Sequence, residues 1–179
     1  MEDQQEPIEV VTTRQAGIRY GLILGVISIA YFVVLSATGV NMTEGIGRWG
    51  SLIFTTVIFI LAHKYFKENG DGYMSLGQGV GIAFWCSLVS AVISSVFTFI
   101  YVSFIDEGFV QALKDAQYDQ FVARGMSDAQ IDQAMSFSAS FMTPTAIMLF
   151  GLIGGVIIGL IVGLIISFFT QKKNPDLIA

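Results

Sequence analysis

The sequence predicts an all-α polytopic membrane protein with four transmembrane helices and a helical extracytoplasmic insert between spans three and four. Three observations predict it. Of 179 residues, 54% are hydrophobic and only 13% are charged, which is too apolar for an ordinary soluble domain. The charges are clustered, so that Tyr20 to Thr43, Leu76 to Ile105 and Gln133 to Gln171 carry none. Each run exceeds the roughly 20 residues that cross the hydrocarbon core as a helix. A buried soluble core is excluded, because too little polar sequence remains to cover four such helices. In lipid the backbone must satisfy its own hydrogen bonds, so long runs fold as helices.

The first span is expected at about 17–39 and the second at about 47–66. The charge-free part of the second, Trp49 to Ala62, is short. It spans if His63 and Lys64 snorkel to the headgroups. The third span is expected at about 76–105 and the fourth at about 144–170. Residues 1–13 read as an acidic cytoplasmic tail, 14–173 as the membrane domain, and 174–179 as a short cytoplasmic tail. The polar, acidic start "MEDQQEPIEV" is unlike the n-region of a signal peptide, so the first span is expected to be retained.

Orientation follows from the cations. An even span count puts both termini on one side. Arg14, Arg19, Lys64, Lys67, Lys172 and Lys173 lie there, against Arg48, Lys114 and Arg124 opposite. Six against three predicts cytoplasmic termini by the positive-inside rule. The segment 106–143 is then periplasmic.

Between spans two and three stands "HKYFKENGDGYMSLGQG", residues 63–79. His63, Lys64 and Lys67 are expected to decorate the negative end of the second helix dipole, as a cytoplasmic anchor or docking site. Asn69, Gly70, Asp71 and Gly72 are turn residues. Ser75 with Gln78 forms a capping box that starts the third helix. A lone histidine without a thiol, carboxylate or second histidine at ligand spacing is a poor metal candidate. On this reading His63 is dispensable for folding.

Two spans carry glycine at every fourth position: Gly17, Gly21 and Gly25 in the first, extended by Ser28, and Gly151, Gly155, Gly159 and Gly163 in the fourth. Such glycine zippers let helix backbones approach closely. Either both build the bundle, or one is turned to a second subunit. The third span has a softer face of Ala83, Ser87, Ser90, Ser94 and Thr98. Its serines fit helix packing, or the wall of a wet cavity. Cys86 lies mid-span and reads as a small buried residue. No charged residue sits mid-span, which argues against a proton-coupled carrier. None of the three prolines interrupts a span, since Pro144 falls in a first helical turn.

The insert reads as two helices. Phe109, Leu113, Ala116 and Phe121 give the first a partly apolar face, and Gly125 fits its end. Ser127 with Gln130 is a second capping box, and Met126 can staple to Ile131. The second helix runs through Met135 and is expected to join the fourth span with a kink near Thr143-Pro144. Asp106, Glu107, Asp115, Asp119, Asp128 and Asp132 read as a solvated face; their spacing matches no calcium loop.

The loop between spans two and three, with its His-Lys-x-Phe-Lys and Gly-Tyr-Met-Ser-x-Gly-Gln elements, the glycine-rich first span and the late helical insert resemble domain-of-unknown-function family 4199. These are small integral membrane proteins common in Bacteroidota. The resemblance implies a bacterial inner membrane and no catalytic residue. It also implies, by association, proximity to a polyprenyl-phosphate-type glycosyltransferase and so to envelope glycan assembly. The function expected is therefore a non-catalytic accessory or structural subunit. Its partners would be the lipid bilayer and another integral membrane protein or a second copy. The alternative is a transporter or channel for a small solute or lipid. No catalytic set, cofactor, metal or nucleic-acid partner is expected.

Overall fold

The computed structural model describes residues 10–39, 45–106 and 108–175. Most of the expected acidic tail, the connector 40–44, Glu107, the side chain of Arg48 and residues 176–179 lie outside the described residues. Four helices are long and apolar enough to cross a membrane: α1 (Thr13–Thr38), α2 (Gly45–Glu68), α3 (Leu76–Ile100, continued to Ile105) and, in chain order below, α6 (Pro144–Thr170). Two shorter helices, α4 (Phe109–Ala123) and α5 (Asp128–Ala139), form the insert between α3 and α6.

Helix α1 begins ahead of the expected boundary. Thr12 caps it: the Gln15 backbone N–H donates to Thr12 Oγ1 at 3.2 Å, and Gln15 Oε1 accepts from the Thr12 N–H at 2.8 Å. This reciprocal pair satisfies two orphan donors and draws Arg14 into the helix. The Ser75–Gln78 box starts α3 as expected, with the Ser75 N–H donating to Gln78 Oε1 at 2.7 Å. Gln130 Oε1 accepts from the Ser127 N–H at 2.9 Å at the start of α5. Gly125, at φ 74°, ends α4 in the left-handed region. Helix α5 runs to Ala139, past Met135, and then breaks rather than bending into the fourth span. Thr143 Oγ1 accepts from the Ala146 N–H, and Pro144 takes the first turn, so α6 starts afresh.

The last five residues of the third span, Tyr101–Ile105, are π-helical. The wider turn brings Tyr101 against α1, where its hydroxyl lies 2.8 Å from Ser36 Oγ. Phe32 meets Tyr101 edge-on at 5.1 Å and Phe109 at 5.7 Å, so this turn ties α1 to the root of the insert.

Helix α3 is the hub. Its Ile82, Trp85, Cys86, Val89 and Ile93 receive α1, and its Ala83, Ser87, Ala91 and Ser95 receive α6. Both glycine stripes therefore face α3 within one chain. The fit is uneven along the bundle. A methyl at Gly21 would stand 2.8 Å from the Cys86 carbonyl oxygen, and one at Gly25 3.1 Å from Ile93. On α6, methyls at Gly163 and Gly159 would overlap Ala83 and Ser87. At Gly155 the nearest atom is 3.2 Å away, and at Gly151 it is 3.4 Å away. Glycine costs a helix about 1 kcal/mol against alanine. The overlap shows what offsets that cost at Gly159 and Gly163, and its disappearance by Gly151 shows the helices diverging. Helix α2 closes the bundle from the remaining side, with Ile58, Phe59 and Ala62 buried against α1, α3 and α6.

Both described chain ends meet the α2–α3 turn. The Val11 N–H donates to Asn69 O at 3.3 Å, and Met74 and Lys172 exchange two backbone hydrogen bonds of 2.9 Å. This end is called the terminal face below, and the opposite end, which carries α4 and α5, the insert face.

Candidate functional site

Two polar constellations lie within the bundle. The first is at the terminal face and is built on His63. Expected as a surface anchor, His63 is instead fully buried, with 0% of its surface exposed. Its Nδ1 lies 2.8 Å from Thr170 Oγ1 on α6, and its Nε2 lies 3.1 Å from Gly79 O on α3. A carbonyl oxygen only accepts, so Nε2 carries the proton and donates to Gly79. One ring thus ties three helices. It cannot snorkel, and it presents no surface for docking. Removing a buried, twice-bonded side chain would leave a hole and orphaned polar groups, so His63→Ala is expected to cost stability, against the expectation that it is dispensable for folding.

Beside it, Lys67 Nζ donates to Thr170 O at 2.9 Å. That carbonyl ends α6, so the cation neutralises the negative end of another helix, not only its own. Lys64 is solvent-facing and sits 3.7 Å from Glu68; such an exposed pair adds little. Gln78 is exposed and serves the capping box. Arg19 stacks over the Tyr65 ring at 4.5 Å and donates to its hydroxyl at 2.9 Å, while Arg14 lies over Trp85 at 5.2 Å. The loop "HKYFKENGDGYMSLGQG" is therefore a structural lock that joins α1, α2, α3 and α6.

The second constellation is a cavity of about 190 Å³ between the middle of the bundle and the insert face. Three of the four long helices contribute hydroxyls: Ser28 from α1, Ser51 and Thr55 from α2, and Ser87, Ser90 and Ser94 from α3. Gly151, Gly155 and Gly159 form the α6 wall. The expected single face of the third span is thus divided. Ala83 meets Gly163 of α6 and the core rather than the cavity, Ser87 meets Gly159 and also lines the cavity, and Ser90 and Ser94 turn to the cavity. No ionisable side chain lines it among the described residues. Leu52 borders both this cavity and an apolar groove between α2 and α6 on the outer surface.

Cys86 is buried, as expected. Among the described residues no three of His, Cys, Asp or Glu converge as a metal set. Asp115, Asp119, Asp128 and Asp132 are exposed, and Asp115 Oδ1 accepts from Gln111 Nε2 at 2.8 Å. Sequence reasoning missed Thr170, Ser28, Ser51 and Thr55 as members of these constellations. The available signal was polarity: each is a hydroxyl in a strongly apolar span.

The model of a family described as proteins of unknown function, DUF4199, matches residues 19–172. The chain belongs to this family. The match runs from Arg19 to Lys172 and so covers every residue of both constellations. No curated protein and no solved structure matches the chain.

Proposed function

We propose that the protein is a non-catalytic accessory or structural subunit of a bacterial inner-membrane complex, with cytoplasmic termini and α4–α5 in the periplasm. One observation carries this reading. The insert, outside the four spans, exposes an aromatic edge: Phe137 is 72% and Phe141 44% exposed. Phe141 packs against Phe137 and also against Phe150 of α6, so the edge continues into the outer wall of the fourth span. Exposed apolar surface of this kind marks a contact with another molecule. Its continuity with a membrane-facing helix suits a second integral membrane protein. The glycine stripes are already engaged with α3, which leaves this edge as the partner-facing feature. A glycosyltransferase partner, and a place in envelope glycan assembly, follow from the association attached to the family. The polar groups inside the bundle support a non-catalytic role, because His63, Lys67 and Thr170 are engaged in holding helices.

The second reading, a transporter or channel for a small solute or lipid, is favoured by the hydroxyl-lined cavity. Affinity purification from native membranes in mild detergent separates the two. A stoichiometric membrane partner is expected, and Phe137→Glu with Phe141→Glu should release it without lowering the melting temperature of the chain. A chain that purifies alone and passes solute across liposomes overturns the accessory role.

A further inference from the structure

We propose that the hydroxyl-lined cavity is a hydrated binding chamber for a small neutral solute rich in hydrogen-bond donors, of the polyol class. The chamber's chemistry is set by which hydroxyl protons and lone pairs are free. Ser87 Oγ donates to Ala83 O at 2.7 Å, Ser94 Oγ to Ser90 O at 2.8 Å, and Thr55 Oγ1 to Ser51 O at 2.8 Å. Each of these hydroxyls has its proton fixed on its own helix. What they turn to the cavity is lone pairs. Ser90 differs. The residue is only 6% exposed, its hydroxyl lines the chamber, and no hydrogen bond among the described residues fixes its proton on the helix. Facing an open chamber, it can be satisfied by an occupant.

The chamber is large enough for one. A single water needs only about 10–15 Å³ of such space, and this chamber offers about 190 Å³. Its walls mix Leu24, Leu52, Ala91 and Ile158 with hydroxyls from three helices, and those hydroxyls give water the several polar partners that a purely apolar cavity lacks. The ligand class follows from the wall. Three fixed hydroxyls accept and none of the described lining residues is charged, so an ion would be left uncompensated at high cost. A neutral molecule that donates several hydrogen bonds fits both conditions. Binding in the chamber does not require transport, and it is independent of the partner edge on the insert.

The test uses glycerol as the probe and a thiol as the reporter. Ser90→Cys is made in the full-length chain with Cys86→Ala, so that one thiol remains, and is reacted with methyl methanethiosulfonate in detergent. Thiolate is the reactive form and apolar surroundings suppress it. A difference of one pKa unit changes the thiolate fraction about tenfold. Ser90→Cys should therefore react about tenfold faster than Val92→Cys, which is lipid-facing and 44% exposed. Glycerol should slow the Ser90→Cys reaction several-fold and leave Ser127→Cys on the insert unchanged; sucrose at equal viscosity should slow neither. If Ser90→Cys disturbs the fold, Ser28→Cys on the opposite wall gives the same readout. Labelling no faster than at Val92 shows a dry packing defect and overturns the chamber. Fast labelling that glycerol leaves unaltered overturns the polyol class.

Discussion

At the terminal face the four long helices are pinned together. His63 bonds to α3 and α6, Lys67 closes the end of α6, and Met74 pairs with Lys172. At the insert face the same helices diverge. The room a methyl would have on α6 grows from overlap at Gly163 to 3.4 Å at Gly151. The chamber opens in the space so made, and the contacts there are an aromatic cluster and a π-helical turn. The difference teaches that the glycine stripes do not act uniformly. On α6, Gly163 and Gly159 weld the helix to α3, while Gly159, Gly155 and Gly151 line the cavity. A bundle built this way has one rigid end and one end with space to change.

The largest expected effect is at the rigid end. Gly21→Leu drives a side chain into the Cys86 carbonyl, which as backbone has nowhere to move. It should cost at least about 3 kcal/mol or abolish folding. Thermal melting in detergent measures it, and a melting temperature equal to wild type would break the comparison. His63→Ala comes next. It removes two hydrogen bonds and buried volume at the junction of three helices, for a loss of about 2 kcal/mol. A larger loss of hydrogen-exchange protection in residues 63–79 than in 97–105 would sharpen the assignment of the lock to one end. Tyr101→Phe is the smallest of the three. It deletes the contact with Ser36 while keeping the ring stack on Phe32, so about 1 kcal/mol is expected, confined to the insert face. A loss as large as that of His63→Ala would show that the insert face is as tightly held.

What was legible in the sequence was mostly local. The spans stand out because charge-free runs need no partner to be recognised. The Ser75–Gln78 and Ser127–Gln130 boxes and the Thr143-Pro144 start lie within one helical turn, so their geometry follows from their spacing. The box at Thr12–Gln15 is equally local, but it lies ahead of the apolar run, beside the charge of Arg14. The ring that Arg14 lies over, Trp85, is remote in sequence. His63 was misplaced for the same reason. Its partner Thr170 is 107 residues away, and nothing between residues 63 and 79 announces that contact. The stripes were visible as spacing, but spacing does not name the facing helix. That both land on α3 is a property of topology. The chamber draws its walls from four helices, so no single stretch could display it. The π turn at Tyr101–Ile105 follows the same β-branched, serine and aromatic composition as the rest of the span and has no local mark.

The central claim is that both stripes are packed on α3 inside one chain and loosen toward the insert face. An alanine series along α6 tests it most directly, at Gly163, Gly159, Gly155 and Gly151, with thermal unfolding of each purified variant. Alanine improves helix propensity by about 1 kcal/mol, so only close packing makes it harmful. The account predicts clear destabilisation at Gly163 and Gly159, a small change at Gly155, and neutrality or a gain at Gly151. Equal gains at all four positions would mean that the stripe faces lipid, and would contradict the account.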